Sequence, residues 1–257
     1  MNILAIGDVV APVGADFLRK QLPKIKKEYK IDLVVANGEN SAEGNGITPY
    51  SANFLFDSGV DVITTGNHAF KRREIYDYFD EHDFILRPLN FPETTTPGRG
   101  YCEVDLLKYK VIIVNLMGNV YMENINCPFY AIDKLLKNIS DKDIVIVDFH
   151  AEATSEKKAM GFYLDGKVSA IFGTHTHVAT ADECILKNAT GYITDVGMTG
   201  PIDSVLGVNP INVINKLKSK LPTKFEIASG KCKMECIIFD INEKTKKTES
   251  VNRLTIF

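Results

Sequence analysis

The chain has 257 residues, of which 45% are hydrophobic and 25% charged, with a formal net charge of −3. That balance is typical of a globular protein with enough apolar sequence for a large core. The slight acidity argues against a protein that coats nucleic acid, which would be basic.

Along the chain, short apolar runs alternate with helical patterns. Ile3–Ile6 reads as a buried strand ending in Gly7-Asp8, followed by a helix with Phe17, Leu18, Leu22 and Ile25 on one side. Leu33–Ala36 is a second strand, running into Asn37-Gly38-Glu39-Asn40. A helix near Tyr50–Phe56 leads to a third strand, Val62–Thr65, which ends in Gly66-Asn67-His68, and a helix is expected over Arg72–Phe79. Continuous apolar runs of this length, separated by helices, predict parallel strands covered on both faces. Tyr101–Leu107 and Val111–Leu116 read as a hairpin turning at Lys108-Tyr109-Lys110. A helix is expected over Tyr130–Lys137 and further strands over Ile144–Val147, Ser169–Phe172 and Gly191–Thr194. A helix near Asn209–Leu217 and two long strands, Cys232–Ile241 and Thr248–Ile256, complete the pattern. No repeat or linker appears, so one domain over residues 1–257 is expected.

The five cysteines, Cys102, Cys127, Cys184, Cys232 and Cys236, are odd in number and form no CxxC pair. They predict neither a disulfide scaffold nor a cysteine zinc site, and they fit a reducing compartment. The start, MNILAIGDVV, lacks a basic leader region, and no stretch approaches ~20 uninterrupted apolar residues. The expected location is the cytoplasm.

The chemistry lies at strand ends. Asp8, Glu39, Asn40, Asn67, His68, His150, His175 and His177 all follow or end predicted strands, where sites form in α/β sheets. Taken singly, each has an ordinary reading. Asp8 also suits a helix cap; Asn37, Asn40 and Asn67 suit turns; His150 suits a satisfied core position. Collectively they do not: four of the five histidines fall in these clusters, and His82 alone reads as a surface residue. His175 and His177 would face opposite ways on an extended segment. On a loop leaving the strand they reach two neighbouring metals instead. Carboxylate, amide and imidazole donors without thiolate suit manganese, iron or zinc. Two metals need a shared ligand, for which Glu39 is the natural candidate, and such ions lie roughly 3.5–4 Å apart. No P-loop, dinucleotide fingerprint or GxSxG elbow is present.

These motifs resemble the calcineurin-like metallophosphoesterases, and more closely their YmdB-like branch. The resemblance covers nearly the whole chain. It is carried by Asn37-Gly38-Glu39-Asn40, Gly46-Ile47-Thr48, Asn115-Leu116-Met117-Gly118, the Asp148–Lys157 string DFHAEATSEK, Gly173–Val178 and the Thr194–Pro201 string TDVGMTGP. It implies an α/β protein, specifically a four-layer α/β/β/α sandwich. It also implies a dinuclear centre, iron-loaded with manganese or zinc as alternatives. Asp8, Glu39, Asn40 and His177 match ligands of one metal. Glu39, Asn67, His150 and His175 match those of the other, with Glu39 bridging. His68 matches the proton donor. The branch is associated with 2′,3′-cyclic nucleotide phosphodiesterase activity and with regulation of alternative bacterial cell states.

The expected reaction is therefore hydrolysis of a small phosphate diester by a metal-bridging hydroxide. Two rivals are a metal-dependent regulatory or scaffold protein with weak hydrolysis, and a phosphomonoesterase or nucleotidase using the same centre. The expected partner is a nucleotide-like diester, with no membrane, no stable nucleic-acid complex, and homo-oligomerisation left open. The chain departs from the broad pattern in places. Asp8-Val9-Val10 lacks the usual histidine, which Asn40 replaces, and Glu39 stands where an aspartate is usual. Ala69-Phe70-Lys71 replaces a Trp-Asp pair, and Ala11-Pro12-Val13-Gly14 lacks a Gly-Arg. Substrate contacts are expected from loops around Pro92–Gly100, Gly118–Cys127 and Gly197–Ser204.

Overall fold

The computed structural model describes residues 1–140 and 143–257. Its strands are β1 (Asn2–Ile6), β2 (Asp8–Val9), β3 (Ile31–Asn37), β4 (Val62–Thr64), β5 (Ile85–Leu86), β6 (Tyr101–Asp105), β7 (Lys110–Met117), β8 (Ile144–His150), β9 (Ala170–Thr174), β10 (Cys184–Ile185), β11 (Gly191–Ile193), β12 (Met198–Pro201), β13 (Cys232–Ile241) and β14 (Thr248–Ile256). Its α-helices are α1 (Ala11–Glu28), α2 (Pro49–Asp57), α3 (Tyr76–Glu81), α4 (Pro128–Leu136), α5 (Thr154–Leu164) and α6 (Pro210–Ser219).

Among the described residues the strands form two mixed sheets. One runs in the order β2-β12-β13-β1-β3-β4-β5, with β14 on the far side of β13; the other runs β10-β11-β9-β8-β7-β6. β1, β3, β4 and β5 are mutually parallel, and so are β7, β8, β9 and β11. Their carboxyl ends supply the residues of the site.

Side-chain alternation sorts the core. In β1, Ile3 and Ala5 face the second sheet, where they meet Ile113, Ile146, Ala170 and Phe172. Leu4 and Ile6 face the other way, onto Leu18, Leu22 and Ile25 of α1 and Leu55 of α2. In the second sheet, Val114, Val145 and Ile171 turn outward onto Ile132 and Leu135 of α4 and Met160 and Leu164 of α5. This is the period-two rule of a strand with both faces covered. Each fully buried leucine on α1 contributes about 1.5–3 kcal/mol. The start of α2 is fixed locally: Thr48 and Ser51 form a reciprocal capping box, and Pro49 occupies the first turn.

The structure departs from the sequence expectation in instructive places. The first sheet is not purely parallel, because β13 inserts antiparallel beside β1 and β12. Arg73–Ile75 is a 3-10 turn, so the helix expected from Arg72 begins as α3 at Tyr76. The helix α5 had no apolar period to announce it, because Glu156 and Lys157 are among the residues it buries. Strands β2, β5 and β10, of two residues each, are too short to leave a periodic pattern.

Candidate metal centre

The carboxyl ends of the two parallel strand sets converge on one place. From the first sheet come Asp8 after β1, Glu39 and Asn40 after β3, and Asn67 and His68 after β4. From the second come His150, the last residue of β8, and His175 and His177 after β9. Two glycines make the approach feasible. A Cβ on Gly66 would lie 2.1 Å from His150 Cδ2, and one on Gly173 would lie 1.8 Å from the Thr194 carbonyl oxygen.

The residues fall into two overlapping groups. Around His150 Nε2 stand Asn67 Oδ1 at 3.0 Å, His175 Nδ1 at 3.0 Å and Glu39 Oε1 at 3.3 Å. On the other side, His177 Nε2 lies 3.5 Å from Asp8 Oδ1 and 3.4 Å from Asn40 Nδ2. Glu39 reaches toward both: its Oε1 accepts from Asn40 Nδ2 at 3.1 Å, and its Oε2 accepts from the His68 backbone N–H at 3.2 Å. Glu39, His150 and His175 offer ligand atoms all within 4.8 Å of one another.

The outer nitrogen of each histidine has a protein partner, which fixes the tautomer. The Thr174 hydroxyl donates to Asp148 Oδ1 at 2.7 Å, so its oxygen accepts from His150 Nδ1–H at 2.9 Å. Glu152 Oε2 stands 3.1 Å from His175 Nε2, and the Leu206 carbonyl lies 3.2 Å from His177 Nδ1. The inner nitrogens are thus His150 Nε2, His175 Nδ1 and His177 Nε2. At the first group, His150 Nε2 and His175 Nδ1 crowd with two oxygen acceptors. Asp8 Oδ1, fully buried, has no hydrogen-bond donor among the described residues. Buried acceptors left in this way are costly, and a cation is the group that satisfies them together. The donor set therefore fits a hard or borderline metal ion.

Charge behaves accordingly. Burial opposes ionisation of Glu39, yet His150 and His68 hold its carboxyl well below the usual range. Burial likewise opposes a charge on His150, but Glu39, Asp8 and Asp148 raise it to about 9. Burial, and then the neighbouring His150 charge, push His175 down to about 4.

Asn40 is placed with its amide nitrogen toward Glu39 and His177 and its Oδ1 3.3 Å from His68 Nδ1. It offers oxygen to a cation beside His177 once the amide is turned over. His68 is part-exposed, with Nδ1 3.4 Å from Glu39 Oε1. The departure after it has a structural use. Ala69 is buried, and Phe70 packs against Tyr76, Phe79 and Phe91 at ring separations of 5.3–5.5 Å. The Ala11 N–H donates to the Asn40 carbonyl at 2.8 Å, tying the first loop to the ligand loop. Part of the segment around Pro92–Gly100 lines a cavity of about 580 Å³ with Arg87, Tyr130 and Lys134, to which none of the candidate ligands contributes. His82 stacks on Tyr78, away from the cluster.

Sequence reasoning missed the support. Asp148 joins Thr64 and Thr174 across the two sheets, with Asn37 Nδ2 3.4 Å from its Oδ2. Burial raises the Asp148 carboxyl to about 7 even though His150, Thr64 and Thr174 favour its charge. Glu156 accepts from the Asn119 and Val120 N–H groups and fixes that loop. The available signal was a polar residue inside an apolar strand run, as Asp148 is.

The fold and the cluster define an α/β protein with a cation-ready centre where two parallel strand sets end. More particularly, the chain belongs to the YmdB-like protein family, whose family model matches residues 4–254. It is 43% identical, over 100% of its length and 97% of the relative, to a 2′,3′-cyclic-nucleotide 2′-phosphodiesterase of Bacillus subtilis (strain 168). Its structure resembles that of a hypothetical protein from Thermus thermophilus, with a TM-score of 0.93, 38% identity and coverage of 99% and 98% of the two chains. A novel phosphatase from Mycoplasma pneumoniae gives a TM-score of 0.94 at 33% identity, covering 100% of this chain and 93% of that one.

Proposed function

We propose that this chain is a metal-dependent phosphodiesterase that opens 2′,3′-cyclic nucleotides, within a single domain of the four-layer α/β/β/α type. The observation that carries the reading is the full-length likeness to the Bacillus subtilis 2′,3′-cyclic-nucleotide 2′-phosphodiesterase. The three successive cores support the layering.

Asp8, Glu39, Asn40 and His177 would hold one ion, and Glu39, Asn67, His150 and His175 the other. The oxygen and nitrogen donors suit iron, with manganese or zinc as alternatives. When bound, two such ions supply positive charge to the phosphoryl oxygens and lower the pKa of water. The chain's own residues do the rest. Glu152, Thr174 and Leu206 hold the three imidazoles in their tautomers. A water oxygen bonds to phosphorus as the P–O2′ bond breaks, and His68, at the part-exposed edge of the cluster, donates a proton to the leaving 2′ oxygen. The product is a 3′-monoester. Among the described residues no helix is long and apolar enough to cross a membrane. The cysteine pattern, which fits a reducing compartment, supports the cytoplasm as the proposed location.

The test is metal analysis of protein purified without chelator, paired with a substrate panel. Hydrolysis of 2′,3′-cyclic AMP to 3′-AMP, abolished by EDTA and restored by Mn²⁺, is expected. Turnover of monoesters alone would replace the diester reading with a phosphatase. Undiminished turnover after complete metal removal would end the metal-centre reading.

A further inference from the structure

The two sequence stretches DFHAEATSEK and TDVGMTGP contribute residues that the proposed reaction does not use. They meet inside the protein. Lys157, the last residue of the first stretch, donates from Nζ to Asp195 Oδ2 at 2.6 Å, and the side chains are 2% and 1% exposed. A lysine is buried this fully only at considerable desolvation cost. The placement of its partner shows what the pair holds.

The Asp195 carboxylate is fully engaged. Besides Lys157, Oδ2 accepts from the Thr176 backbone N–H at 3.1 Å and from the Thr176 hydroxyl at 2.8 Å, and Oδ1 accepts from the Gly197 N–H at 2.8 Å. Thr176 lies between the two histidines of the centre. Both histidines occupy the left-handed region, His175 at φ 101° and His177 at φ 62°. Residues other than glycine rarely hold such a backbone unless the surroundings enforce it. On the opposite side, the His175 N–H donates to Asp8 Oδ2 at 3.0 Å. The turn is therefore gripped between two carboxylates, Asp8 on its metal side and Asp195 on its outer side. This kinked backbone is what lets His175 face His150 while His177 faces Asp8.

We propose that the Lys157–Asp195 ion pair is a positioning device that sets the His175–Thr176–His177 turn in its ligating shape before a cation arrives. Asp195 grips Thr176, and Lys157 supplies the counter-charge that keeps Asp195 ionised in a dry place. The inference rests on the metal-centre reading above. It assigns roles to two residues that touch neither substrate nor metal.

The experiment is calorimetric titration of metal-free protein with Mn²⁺, alongside thermal melts of the same samples. In the double variant Lys157→Met/Asp195→Asn both charges leave together at similar volume, a change that buried pairs often tolerate. Its melting temperature should stay near that of the parent, while Mn²⁺ affinity falls about 10–100-fold, the loss typical when the support of a ligand is removed. Thr176→Val removes only the hydroxyl contact at a part-exposed position and buries no charge. It should fold normally and weaken Mn²⁺ binding by a smaller factor, about 3–10-fold on the same scale. Should the double variant fail to fold, Thr176→Val decides alone. Folded variants that bind Mn²⁺ as tightly as the parent would reduce the pair to a structural tie and overturn the proposal. A parent protein that binds no Mn²⁺ removes the metal-centre reading, and this inference with it.

Discussion

Glu39 Oε1 lies 3.3 Å from His150 Nε2, and both side chains are shielded from solvent. A carboxylate from the first sheet and an imidazole from the second thus meet face to face where the sheets' strand ends converge. Glu39→Gln keeps the shape and removes the charge. Metal content should fall, and turnover of 2′,3′-cyclic AMP should drop by at least about 100-fold, beyond the usual cost of losing a ligand's support. Elemental analysis of the purified variant, set beside its rate, checks both. A variant with full metal content and parental turnover would remove Glu39 from the ligand set.

His68 offers a cleaner separation of roles. Its backbone N–H donates to Glu39 Oε2, a contact that a side-chain substitution leaves in place, while its ring Nδ1 stands at a longer 3.4 Å from Glu39 Oε1. His68→Ala should lower kcat by about 10²–10⁴-fold, the range for loss of a general acid, with metal content unchanged. Loss of bound metal in this variant would make His68 a structural support instead of the proton donor.

Gly66→Ala tests the close approach of the two sheets. The added methyl would sit 2.1–2.4 Å from three ring atoms of His150. That ring is fully buried and packed between Thr174, Asn67 and His175. Overpacking should cost about 1–3 kcal/mol, and metal affinity should fall with it. Parallel melts and Mn²⁺ titrations read out the two effects. A melting temperature equal to the parent's would show that the loop yields freely.

Asp182 provides a pH-dependent contribution to stability outside the centre. Partial burial opposes its charge, but Lys158 at 2.8 Å and the hydroxyls of Thr194 and Thr180 outweigh it and hold the carboxyl far below the ordinary aspartate range. A depressed folded pKa gives stability that is present above the unfolded value near 3.8 and lost as pH falls through the folded value. Asp182→Asn should therefore cost about 1–3 kcal/mol at pH 7. The gap from the parent should narrow below about pH 4. Urea midpoints measured from pH 7 downward check the sign, and a gap that widens on acidification would contradict it.

Much of this protein could be read before folding was considered. β13 and β14 were predicted residue for residue, because a long apolar alternation bounded by a polar turn has few other readings. The strand-end clusters were visible because glycine and ligand-type residues interrupt apolar runs. What was hidden shares one physical cause: it depends on partners far away in sequence. Helix α5 conceals itself by burying Glu156 and Lys157, whose partners are the loop at Asn119 and Asp195. The acceptor for His177 Nδ1 is a backbone carbonyl, at Leu206, which no side-chain pattern can reveal. The strain at His175 and His177 is likewise a property of assembled surroundings rather than of local propensity.

The candidate ligands run from Asp8 to His177 and come from both sheets. The strand ends of neither sheet, taken alone, supply the complete set. Each sheet can acquire its hydrogen-bonded ladder while the pocket for the ions does not yet exist. During refolding, therefore, cation capture reports the docking of the two sheets upon one another. It belongs with the slow closure of distant contacts rather than with the early formation of helices.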